Sequence, residues 1–186
     1  MSHLHSIDKY GGRWTNEERE KFFVFCQLNR AIPYPKLCDV FDALMEKYWR
    51  DNIYRSFIIS VYPARNEERI AEILKKIGYR FPNQTAKFMV ANGWVDAIFL
   101  KSCTREEMVQ SCKGFGYKLA SLFLRNTREK NFAVIDTHIK WFLKEVGIDI
   151  RLSYLELEEA FGRIACAQKM SMYALDMQIW EQRRKK

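Results

Sequence analysis

Apolar residues recur every three or four positions along almost the whole chain, as in Phe22, Phe23, Phe25, Cys26 and Leu28, and this spacing restricts the fold more than any other feature. Side chains so spaced share one face of a helix, so the chain must bury helical stripes. Eight glycines and four prolines in 186 residues are too few to punctuate it into short strands. The expected fold class is all-α. At this length the core is large enough for one domain or for two small helical subdomains that share a cleft.

Helices are predicted near 15–30, 35–49, 51–61, 66–77, 83–92, 104–111, 117–127, 136–146, 154–169 and 171–183. Three starts carry capping boxes, Thr15 with Glu18, Thr104 with Glu107 and Ser153 with Glu156, in which hydroxyl and carboxylate satisfy free backbone donors reciprocally. Phe57 to Tyr62 is rich enough in Ile and Val for a strand, but a lone strand has no partner, so helix is preferred there.

The five cysteines, Cys26, Cys38, Cys103, Cys112 and Cys166, are odd in number, lie within apolar patterns and show no metal-ligand spacing. They read as reduced thiols of an intracellular protein. Met1 to Tyr10 mixes His, Asp and Lys without an apolar run, so neither a secretory signal nor an organellar presequence is expected. The longest apolar stretches, such as Phe57 to Tyr62 and Val95 to Leu100, are too short to cross a bilayer, so a soluble protein without a membrane partner is expected. A formal charge of +8 and a pI near 9.3 favour an anionic partner, for which nucleic acid is the commonest reason; scattered cations on solvated helix faces are the bland alternative.

The informative stretch runs from Gln110 to Asn126 and sets Gly114-Phe115-Gly116 between two helices. Glycines at this spacing permit a tight hairpin with positive backbone torsions and leave the amides at the start of the next helix open to a phosphate, with Gly114, Gly116 and Leu119 the expected phosphate-binding positions. Lys118 falls in the first turn of the second helix. Eighteen residues on comes Val134-Ile-Asp-Thr-His, with Asp136 at the start of another amphipathic helix. A plain helical corner and a capping aspartate are the bland readings of the two segments taken separately.

Taken together, they resemble the helix-hairpin-helix DNA glycosylases, in which such a hairpin is followed by a catalytic aspartate. Gly114-Phe-Gly-Tyr-Lys-Leu-Ala-Ser-Leu-Phe-Leu-Arg-Asn and Ala133-Val-Ile-Asp-Thr-His-Ile look most like the short, archaeal-type 8-oxoguanine DNA glycosylase/AP lyases. Arg80-Phe-Pro-Asn and Asp176-Met-Gln-Ile-Trp180 also look like that subgroup, and the resemblance covers roughly residues 60–186. It implies two helical subdomains forming one catalytic unit, with the hairpin motif (about 104–127) at the cleft and the aspartate segment at about 133–146. It also implies a prokaryotic cytoplasmic enzyme of base excision repair.

By this resemblance Lys118 is the nucleophile that attacks the anomeric carbon and forms a Schiff base, which requires an uncharged amine; burial, a positive helix terminus and nearby cations each favour that form. Asp136 stabilises the cationic sugar and relays protons. Loss of a proton from the neighbouring carbon then expels the 3′ phosphate, so strand nicking accompanies excision. His138 is expected to donate to a DNA phosphate, or else to serve as a core or capping histidine. Trp180 is expected to sandwich the extruded base and Lys186 to reach it. Backbone carbonyls of Cys112 and Phe115 are implied to hold a structural cation, with no catalytic metal. Only Cys166 follows Asp136, so no iron–sulfur cluster is expected.

The subgroup's histidine four residues past the lysine is Leu122 here, and only five residues separate Trp180 from Lys186. Two rivals remain at this point: a glycosylase for another lesion, such as an oxidised pyrimidine, and a non-catalytic hairpin module that grips DNA. A nonpalindromic lesion in double-stranded DNA needs no twofold partner, so a monomer is expected. Affinity for duplex DNA is expected to fall steeply with salt, because Lys and Arg contacts release counterions; titrating a fluorescent duplex between about 50 and 200 mM salt measures that slope.

Overall fold

The computed structural model describes residues 12–48 and 63–184. All regular structure among them is helical: α1 Asn16–Leu28, α2 Tyr34–Tyr48, α3 Pro63–Lys76, α4 Pro82–Ala91, α5 Ala97–Ser102, α6 Arg105–Ser111, α7 Tyr117–Arg128, α8 Thr137–Glu145, α9 Tyr154–Ala167 and α10 Met172–Arg184. The helix predicted at 51–61 and the Phe57–Tyr62 stretch lie outside the described residues. All three capping boxes are formed with both reciprocal bonds. Helix α5 was not predicted. Its six residues are too few to show a period, and its signal is Asp96, whose carboxylate accepts the Phe99 amide at 2.8 Å.

The chain divides after Phe115 into two compact units. In the first, α1 is buried on every side from Phe22 through Leu28, and α2, α4 and α5 pack on it. The Tyr79 hydroxyl donates to the Leu28 carbonyl at 2.9 Å, joining the Arg30 amide at 2.8 Å on an acceptor that the end of α1 leaves without an intrahelical partner. In the second unit, Ala133, Ile135, Ile139, Leu143, Leu157, Phe161, Ala165, Leu175 and Ile179 form one buried cluster to which α8, α9 and α10 each contribute. No helix among the described residues is long and apolar enough to cross a membrane.

The turn between α6 and α7 is closed by the Phe115 amide, which donates to the Cys112 carbonyl at 3.2 Å. The two glycines of the turn differ from expectation. Gly114 adopts the left-handed region at φ +82°, whereas Gly116 is extended, at φ −107° and ψ −178°, a conformation open to any residue. Gly114 is also sterically fixed, since a Cβ there would sit 2.5 Å from Cδ2 of Phe88. Around Gly116 a Cβ would meet nothing within 4 Å. Gly114→Ala is therefore expected to cost about 2–4 kcal/mol, from left-handed strain plus overpacking. Adding Phe88→Leu should recover only the overpacking part, as urea denaturation of the single and double variants would show.

Candidate active site

The hairpin is held from inside the first unit. Asn92, the buried C-cap of α4, accepts the Lys113 amide on its side-chain oxygen at 2.7 Å and donates through Nδ2 to the Lys113 carbonyl at 2.9 Å. The same Nδ2 donates to Gln27 at 3.1 Å, and the Phe115 ring stacks on Phe23 with centroids 4.8 Å apart. The turn is thus gripped by its backbone and its one large apolar side chain. The Lys113 side chain takes no part in the clamp.

Gly116 is the N-cap of α7 and has no side chain with which to cap it. The opening amides of α7, those of Tyr117, Lys118 and Leu119, are the ones a helix leaves without intrahelical partners. Leu119 buries its side chain, while Lys118 is half-buried in this first turn. Asp136 is the N-cap of α8, and its Oδ1 accepts the Ile139 amide at 3.0 Å. Lys118 and Asp136 thus stand at the starts of two helices of one unit.

Residues 133–135, which deliver Asp136, are buried and belong to no helix, and no strand neighbours them among the described residues. Side chains satisfy them instead. The Ala133 amide donates to Glu158 at 3.2 Å, the Val134 amide to Oδ2 of Asp176 at 3.0 Å and the Ile135 amide to the Tyr154 hydroxyl at 3.3 Å. That hydroxyl donates in turn to the Ala133 carbonyl at 2.8 Å, and the Tyr154 ring stacks on Tyr117, the residue before Lys118, at 5.7 Å. Asp176 also accepts a hydrogen bond from Arg125 of α7 on the same oxygen, and the side chains of this pair are only 9% and 6% exposed. Burial pushes the Asp176 carboxyl upward from its ordinary value, against Arg125 and the Val134 amide, which favour its charged form.

His138 lies in the first turn of α8, half-buried, with its ring edge-on to Trp141 at 5.8 Å and its Nδ1 buried without a hydrogen-bond partner. Trp180 is half-buried on α10, one turn beyond Asp176. Lys186 lies outside the described residues. The Cys112 thiol is pushed up to about 12, mainly by burial and then by Cys103, so at neutral pH it is neither a nucleophile nor a thiolate ligand. No group of three or more His, Cys, Asp or Glu among the described residues is arranged to hold a metal.

The family model for the 8-oxoguanine DNA glycosylases of helix-hairpin-helix type matches residues 55–170. The chain belongs to the 8-oxoguanine DNA glycosylase family. Similar proteins include the 8-oxoguanine DNA glycosylase/AP lyase of Thermoplasma volcanium, 30% identical over 89% of this chain and 86% of that one. The enzyme of the same name from Metallosphaera sedula is 34% identical over 61% of this chain and 62% of its own length. Among solved structures, the Methanocaldococcus jannaschii 8-oxoguanine glycosylase/lyase in complex with a 15mer DNA containing 8-oxoguanine superposes with a TM-score of 0.74 at 28% identity. That match covers 92% of this chain and 83% of that one.

Within this glycosylase-family chain, sequence reasoning missed Asn92, Tyr154, Glu158 and Arg125. The one available signal was Arg125, a charge set between Leu124 and Asn126 on a helix whose neighbouring positions are buried. Arg125→Met would strand a buried carboxylate and is expected to cost about 3–5 kcal/mol near neutral pH. A carboxyl whose folded pKa is raised contributes its stability when protonated, below its unfolded value, and loses it as pH rises through the folded value. The stability gap between this variant and the native protein should therefore narrow on acidification from about pH 7 towards pH 4. Thermal melts of the two proteins across that range would read the gap.

Proposed function

We propose that this protein is a bifunctional DNA glycosylase/AP lyase that removes 8-oxoguanine through Lys118 and nicks the strand. The observation that carries the reading is that Lys118 and Asp136 stand at the starts of two helices of one unit, within a chain of this family. The uncharged Nζ of Lys118 attacks C1′ of the damaged nucleotide, the C1′–N bond to the base breaks and water protonates the departing base; the C1′–O4′ bond then opens, O4′ takes a proton, and the amine becomes a Schiff base. Asp136 supplies negative charge opposite the sugar as it becomes cationic and takes the proton that the attacking amine sheds. Removal of a C2′ proton then expels the 3′ phosphate by β-elimination.

The uncapped start of α7 supports phosphate binding. Backbone amides aimed outward at the positive end of a helix dipole favour an anion, and the absent side chain of Gly116 lets a phosphate approach the main chain. His138 would add a donor through Nε2, since Nδ1 is enclosed by protein. Trp180 would stack on the extruded base and Lys186 would contact it. The carbonyls of Cys112 and Phe115 would hold a structural cation; the Cys112 oxygen keeps a second lone pair beyond its bond to the Phe115 amide, and hard oxygens suit such an ion. That ion supplies no chemistry to the reaction. One protomer is sufficient for a nonpalindromic lesion, and five free thiols suit a reducing cytoplasm.

Borohydride reduces a Schiff base to a stable bond, so trapping on a duplex with one 8-oxoguanine tests the proposal. A covalent band is expected with the native protein and none with Lys118→Gln. A band confined to a duplex bearing an oxidised pyrimidine would reassign the lesion, and salt-sensitive binding without a band on any duplex would leave a DNA-gripping module.

A further inference from the structure

Three side chains, buried Glu158 and Asp176 and half-buried Tyr154, do for residues 133–135 what a neighbouring strand does in a sheet. Each makes a hydrogen bond with the main chain immediately before Asp136. Two of the three also reach the helix that carries Lys118: Asp176 through Arg125, and Tyr154 through the ring of Tyr117. Arg125 stands seven residues after Lys118, two turns along the same helix face, and Tyr117 is its immediate neighbour. Arg125 is further fixed by lying over the Tyr173 ring at 5.3 Å. The backbone before the acid and the helix bearing the amine are therefore tied at two points about two turns apart along α7, which restrains tilt as well as distance.

We infer that Asp176 and Tyr154 are positioning residues for the excision reaction, acting through Val134, Ala133 and Ile135 to set where Asp136 stands relative to Lys118. Neither side chain is required to touch the substrate. The inference rests on the proposed lysine chemistry and adds to it the groups that hold the geometry. A small displacement of reacting groups is known to cost on the order of a hundredfold in rate, which gives the scale of the effect sought.

A merely structural role and a positioning role separate in borohydride trapping with the 8-oxoguanine duplex saturating and in excess over enzyme, each molecule of which is trapped once. Loss of folded protein lowers the amplitude of the trapped product and leaves the rate constant alone. Displacement of Asp136 lowers the rate constant and leaves the amplitude alone. In Asp176→Asn an amide oxygen can stand where Oδ2 stands but carries no charge to hold Arg125. In Tyr154→Phe the stack on Tyr117 stays and both hydroxyl hydrogen bonds go. Each is expected to slow trapping on the order of tenfold to a hundredfold at full amplitude. Binding to a duplex with a stable abasic-site analogue should be unchanged. A native rate constant in Asp176→Asn, whatever its amplitude, would overturn the inference; should that variant not fold, Tyr154→Phe decides by the same criterion. Absence of a trapped product with the native protein would instead remove the lysine chemistry itself, and the inference with it.

Discussion

A stretch of buried main chain that belongs to neither helix nor sheet must find hydrogen-bond partners elsewhere, because an unmet buried amide costs about 1–3 kcal/mol. Residues 133–135 are in this position, and the second unit is organised around meeting their demand. Helix α9 lends Tyr154 and Glu158, helix α10 lends Asp176, and α7 lends Arg125 to compensate the charge that Asp176 brings inside. Helices that would otherwise meet only through apolar contact, a non-directional attraction, are thereby fixed by groups that tolerate little displacement. The apolar cluster of Ile139, Leu143, Phe161 and Leu175 supplies much of the cohesion. The polar side chains supply the register.

That division of labour explains what was legible in the sequence. The helices announced themselves through period and capping boxes, because both are local: Thr104 and Glu107 need only each other. The turn before Lys118 and the helix start at Asp136 were legible because a glycine-framed turn and a capping aspartate are also local signatures. Asn92 and Lys113 lie 21 residues apart, and Arg125 and Asp176 lie 51 apart, and no local rule pairs them. Each partner has an ordinary alternative on a solvated surface. Only the folded chain shows that these polar groups face inward.

Gly114 and Gly116 make the same point at close range. Read as a pair, they suggested one shared reason, backbone torsions that other residues avoid. The structure gives them different reasons: Gly114 answers to Phe88 and to its left-handed torsion, whereas Gly116 has ordinary torsions and empty surroundings. Nothing within the described residues requires glycine at 116; under the proposed function its bare backbone lets a phosphate approach the amides of α7.

The Asn92 clamp carries a separate consequence. It grips Lys113 by amide and carbonyl alone, atoms that every residue type except proline supplies. The middle of the hairpin is thus indifferent to the identity of the side chain it displays, although its path is fixed to within a hydrogen bond. Position 113 is a mount on which evolution can exchange a lysine for an aromatic, a serine or an acid, and so change what the turn displays, without disturbing the backbone bonds that hold it.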